Sequence, residues 1–152
     1  MKNLFNEADH IIVFRRINQL TEKHQAHWGK MNVTQMLCHC GDQLRIAMGF
    51  IEVKSNSNFF KRTVLKRMAL WFKIPKGRIE TVDELNQVKG NGTPSVTFRD
   101  DRVNLVKLMN LFLEQSDNFK WSPHPTFGEL SKKEWGRLAY QHLDHHLRQF
   151  GV

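Results

Sequence analysis

SKKEWGRLAYQHLDHHLRQF, residues 131–150, opens with Ser131 and Glu134 at the S-x-x-E spacing of a capping box, the pairing that satisfies free amides at a helix N-terminus. At 100° per residue, Trp135, Leu138, Ala139, His142, His146 and Phe150 fall in one arc, while Lys133, Arg137, Asp144 and Arg148 lie opposite. The segment is therefore a long amphipathic helix, and its apolar face needs other elements to cover it.

Working outward, three more segments carry the same period. From Glu7 to about Lys23, Ile11, Phe14, Ile17 and Leu20 recur at helical spacing with Arg15 and Arg16 on the other side. Asn32 followed by Gln35 again resembles a capping box and predicts a helix to about Met48, with Val33, Met36, Leu37, Cys40, Leu44 and Ala47 inward and Gly49 as its stop. A third long helix is expected from about Asp100 to Ser116, through Val103, Leu105, Val106, Leu108, Met109, Phe112 and Leu113.

Between Ile51 and Ile79, apolar residues surround Lys61, Arg62, Lys66 and Arg67, which predicts a short helix. PKGR, KGNG and TP, between Pro75 and Pro94, argue for a long connection. HQAHWGK (His24 to Lys30) and WSPHPTFG (Trp121 to Gly128) read as loops. With no repeat and no hairpin signal, the expectation is an all-α four-helix bundle with one additional short helix and a long connection before the third long helix, in one domain spanning residues 1–152.

Composition agrees with a globular chain: 40% hydrophobic and 25% charged residues argue against wholesale disorder or a fibrous architecture. Glu7 and Asp9 stand where a signal peptide carries its apolar region, and no stretch reaches membrane-span length, so a cytoplasmic protein is expected. The two cysteines, Cys38 and Cys40, cannot build a disulfide framework and read as buried small residues. A formal charge of +8 favours anions in general without naming one.

Three of the eight histidines lie in HLDHH. His142 and His146, at i and i+4, point into the bundle one turn apart, the spacing by which two helical histidines share a metal ion. If buried and neutral without an ion, their four ring nitrogens need partners; if charged, they repel. Solvation at the end of the helix, where cationic histidine complements the dipole, is the competing explanation. A catalytic zinc-type site needs a third ligand. His39, mid-way along the second helix, is the best candidate and His124 in the SPHP loop its rival. His145 is rotated off the stripe and flanks it. His10, His24 and His27 read as surface or loop residues.

WGKMNVTQMLCHC (Trp28 to Cys40), HPTFG (His124 to Gly128) and EWGRLAYQHLDHHLRQFG (Glu134 to Gly151) resemble the DinB-like metalloenzyme superfamily, which includes the YfiT-type proteins. HLDHHLRQFG is similar to the superfamily's H-x-x-x-H-R-G-Q ending, with Leu147 interposed before Arg148, so the second ligand of the pair could align with His145 or His146; helical phase favours His146. The resemblance implies a four-helix bundle with a divalent metal, zinc or nickel, on His39, His142 and His146. It also implies S-transferase-like chemistry with a low-molecular-weight thiol, and a homodimer.

Two functions follow as expectations. In the first, a three-histidine site holding zinc, nickel or iron activates a thiol or water for transfer or hydrolysis on a small molecule, with His145, His124 and Tyr140 as possible proton acceptors and Trp28 and Phe127 as walls. No acidic residue is expected beside the histidines, and Asp144 is read as solvated. In the second, a non-catalytic module uses the basic 54–78 segment on an anionic partner, nucleic acid or a membrane surface. Lys54, Lys61, Arg62, Lys66, Arg67, Lys73, Lys76 and Arg78 occur there without an acid, interleaved with Phe59, Phe60, Trp71 and Phe72. A solvated charged face has the same composition, and no nucleic-acid motif accompanies it, so a dedicated nucleic-acid site is not expected.

Overall fold

The computed structural model describes residues 1–72 and 85–152. Its helices are α1 (Glu7–Gln19), α2 (Val33–Ala47), a π turn (Lys61–Leu65) running into α3 (Lys66–Trp71), α4 (Phe98–Leu113) and α5 (Lys132–Gln149), with a 3-10 turn at Gln87–Lys89 before α4. Among the described residues there is no strand, only an isolated bridge between His124 and Gly128. The expected long connection lies partly outside the described residues.

Both capping boxes form. Asn32 accepts from Gln35 N at 2.8 Å while the Gln35 side chain accepts from Asn32 N at 3.0 Å, and Ser131 and Glu134 do the same for α5. Gly49 follows α2 with φ +80°, a left-handed conformation suited to glycine, and helps satisfy the last carbonyls by donating to Ile46 O.

Two helices depart from the sequence expectation. α1 ends at Gln19 rather than near Lys23, because His24 Nδ1 accepts the Thr21 amide at 3.0 Å and turns the chain. Its buried face is Asp9, Val13 and Ile17, whereas Ile11 is 48% exposed. α4 starts earlier than Asp100, with Thr97 as N-cap, and buries Phe98, Asp101, Leu105, Met109 and Phe112 while Val103 is exposed.

α2 packs against both α4 and α5, α1 lies on α5, and α3 on α5. Trp135, Phe112, Met109, Leu44 and Leu143 form the centre of the core. The N-terminal arm covers the start of α5: Leu4 is fully buried and donates its amide to Gly136 O at 2.9 Å. Only a glycine leaves room there, since a Cβ at residue 136 would run into the side chains of Asn3 and Phe5. Asp144 is not solvated as expected; Arg16 reaches it from α1 at 2.7 Å and Arg148 at 3.0 Å.

Candidate metal centre

α2 and α5 pack against each other, and their contact brings His39 to His142 and His146. The candidate ligand atoms of the three rings all lie within 4.8 Å of one another. His39 Nε2 and His142 Nε2 are 3.0 Å apart, and the ring centroids of His39 lie 4.7 Å from His142 and 4.8 Å from His146. Two nitrogens on one zinc ion, each about 2.0–2.1 Å from it, stand about 3–3.4 Å apart, so the His39–His142 spacing suits a shared ion.

The tautomer of His146 follows from its surroundings. Gln149 Nε2 donates to the Trp28 carbonyl, which can only accept, so Gln149 Oε1 faces His146. Across 2.8 Å that oxygen takes the Nδ1 proton of His146, leaving the Nε2 lone pair free. This is the outer-shell arrangement that orients metal-binding histidines. The same end of α5 is closed by the His27 amide, which donates to Gln149 O at 2.8 Å.

Burial keeps the rings neutral. It pushes the His39 pKa down to about 4, partly offset by the charge of Asp42 and the backbone of Leu85. His146 falls to about 3, through burial first and then His39. His142 falls well below the ordinary histidine value, from burial and then the neighbouring His146 and His39. Neutral imidazoles are the form that binds metals. Among the described residues, His142 Nδ1 is buried without a hydrogen-bond partner.

The other sequence candidates fall elsewhere. His145 is buried outside the cluster, edge-on to His146 and to Trp28, so it packs behind a ligand. His124 Nδ1 accepts the amides of Thr126 and Phe127 at 3.1 and 3.2 Å, which uses that nitrogen to fold the HPTFG loop. Its ring stacks on Phe127 and leans on Trp135, and burial lowers its pKa to about 4. Tyr140 faces the α1 side, near Asp144, Lys2, Asp9 and Arg16, with its pKa raised by burial and then Asp144. Trp28 does stand at the histidine end of α5, through His145 and Gln149, while the ring contacts of Phe127 are to His124.

Cys38 and Cys40 are free, buried thiols on either side of His39 in sequence and take no part in the cluster. An open cleft of about 600 Å³ lies elsewhere, between residues 22–34 and the start of α4, and the three histidines do not line it.

Two residues were missed from the sequence. Asp42, one turn beyond His39 on α2, is fully buried and brings a carboxylate into electrostatic reach of that ring, contrary to the expected absence of an acid. It is held by Thr93 N at 2.9 Å, Gln87 Nε2 at 3.2 Å and Arg45 NH1 at 3.0 Å. Gln149 is the other. An amide or carboxylate three residues from an inward histidine was the available signal for both.

The chain matches, over residues 5–151, the family described as "Protein of unknown function (DUF1569)". No curated protein and no solved structure matches it.

Proposed function

The chain belongs to the DUF1569 family, and from its histidine cluster we propose that it is a metal-dependent enzyme acting on a small molecule, a divergent relative of the DinB-like proteins. The observation that carries this reading is the convergence of three neutral imidazoles from two helices, His39 and His146 buried and His142 partly so, with the His146 tautomer set by Gln149. Three neutral nitrogen donors suit zinc, nickel or iron over magnesium or calcium. A divalent ion there would supply Lewis acidity, lowering the pKa of a bound thiol or water for S-transferase-like or hydrolytic chemistry.

The chain's own residues do the rest. His39, His142 and His146 are held unprotonated by burial, so protons compete weakly for their lone pairs near neutral pH. Gln149 orients His146 and is itself fixed by the Trp28 carbonyl. Asp42, one turn from His39 and paired with Arg45, places a carboxylate that would offset part of an ion's charge inside the bundle. A low-molecular-weight thiol cosubstrate, a homodimer and a cytoplasmic setting belong to the same reading.

Elemental analysis of tag-free protein, purified without added metal or chelator beside its His142→Ala variant, tests it. Near one equivalent of zinc, nickel or iron in the wild type and little in the variant is the expected result, after which thiol-transfer and hydrolytic reactions are to be screened. No bound metal, even after supplementation with zinc and nickel, overturns it.

A further inference from the structure

The helical run of residues 59–71 is built inside out. Asn58 starts it by accepting the Lys61 amide at 2.9 Å, and Leu70 alone of its large apolar side chains is buried. Phe60, Val64 and Met68 recur at i, i+4 and i+8 on its outer face, with Phe59 and Phe72 at the ends; Trp71, under the Arg137 guanidinium of α5, borders that face, and all six are between 45% and 84% exposed. The opposite face is anchored to α5: Gln141 Nε2 donates to Leu70 O at 3.2 Å, and Lys66 Nζ pairs with Glu134 at 2.9 Å. Six large apolar side chains facing solvent together mark an interaction surface rather than scatter.

Charge selects the partner. Residues 53–72 hold Lys54, Lys61, Arg62, Lys66 and Arg67 and no acid. Among the described residues, Lys61 and Arg62 bond to uncharged oxygens, Asn56 O and Ser57 Oγ, and neither is paired with an acid. A second copy docked face to face would set Lys61 and Arg62 against the same cationic stretch, which holds no acid of its own from 53 to 72. Val64 and Met68, central in the stripe, offer a nucleic acid neither stacking nor hydrogen bonds. Phenylalanine, tryptophan and aliphatic tips flanked by lysine and arginine fit the boundary of a bilayer, carbon toward the acyl chains and cations toward phosphate. No helix among the described residues is long and apolar enough to cross a membrane. We propose that the exposed face of residues 59–72 docks the protein in the interface of an anionic phospholipid membrane. The proposal does not rest on the metal site.

Co-sedimentation of the full chain with phosphatidylcholine vesicles, with and without phosphatidylserine, tests it. Binding is expected only with phosphatidylserine, weakening with salt, lost in Phe59→Ser/Phe60→Ser, and roughly thirtyfold weaker in Lys61→Gln/Arg62→Gln. Circular dichroism of both variants should be that of the wild type, since the changed side chains lie on the outside. The proposal is overturned by absence of binding to the anionic vesicles, or by binding that neither variant alters. It is equally overturned if sedimentation velocity shows a dimer that Phe59→Ser/Phe60→Ser converts to monomer, which assigns the face to a second copy, or if the same surface binds an oligonucleotide and not the vesicles.

Discussion

Gln149 and His146 stand three residues apart on α5 and are joined by a 2.8 Å hydrogen bond whose direction is dictated by a third group, the Trp28 carbonyl. Replacing Gln149 with Leu leaves the His146 Nδ1 proton without its acceptor and the ring free to turn. Metal affinity, measured by competition with a chelator, should fall about 10- to 100-fold. Unchanged affinity would show that packing alone holds the ring.

The doublet His145–His146 is a test of helical phase. His145→Ala should leave metal content unchanged, because that ring lies outside the cluster, against Trp28. Alanine at His39, His142 or His146 should abolish it. Stoichiometric metal retained in all three would refute the cluster.

Acid should destabilise the metal-free protein in a defined window. Unfolded histidines titrate near 6.5, but folded His39 and His124 do so at about 4 and His146 at about 3. Between these values the unfolded chain binds protons that the folded chain refuses. Stability is therefore full above about pH 6.5 and declines as pH falls toward about 4. Urea midpoints at about pH 7.5 and about pH 5 check this; equal midpoints would mean that water reaches the rings.

Gly136→Ala should cost roughly 1–3 kcal/mol, the usual price of overpacking, because the added methyl group displaces Asn3 and Phe5 from α5. Thermal unfolding measures it, and a neutral result would show that the N-terminal arm moves aside freely.

Cys38 and Cys40 should resist thiol reagents in the native state. Burial first, then nearby Asp101, pushes the Cys38 thiol up to about 12, and burial raises Cys40 further. Labelling should appear only with denaturant; rapid native labelling would contradict their burial.

α2 and α5 were legible because two independent local signals, a capping box and one apolar arc, agree in each. Phase on α5 also separated His146 from His145. Along α1, Ile17 and Leu20 are buried as expected and Phe14 packs against the core, but Ile11 is exposed and Val13 buried: both are apolar, and only the covering of Val13 by the rest of the chain decides between them. Asp42 and Gln149 escaped notice because their meaning lies in partners distant in sequence, Gln87 and Thr93 for one and the Trp28 carbonyl for the other. The outer face of residues 59–71 was hidden for another reason: apolar residues fall on several sides of that helix, so composition alone does not say which side is wet.

His39 and His142 meet across 103 positions of sequence. An ion gripped by both, and by His146, would therefore be a reversible cross-link closing most of the chain into a ring, tying α2 to α5 as a disulfide ties distant segments. Once the ion is in excess, each further tenfold rise in its free concentration would add about 1.4 kcal/mol to the stability of the fold. Chelation would then lower the melting temperature, making the protein's lifetime a readout of the metal supply around it.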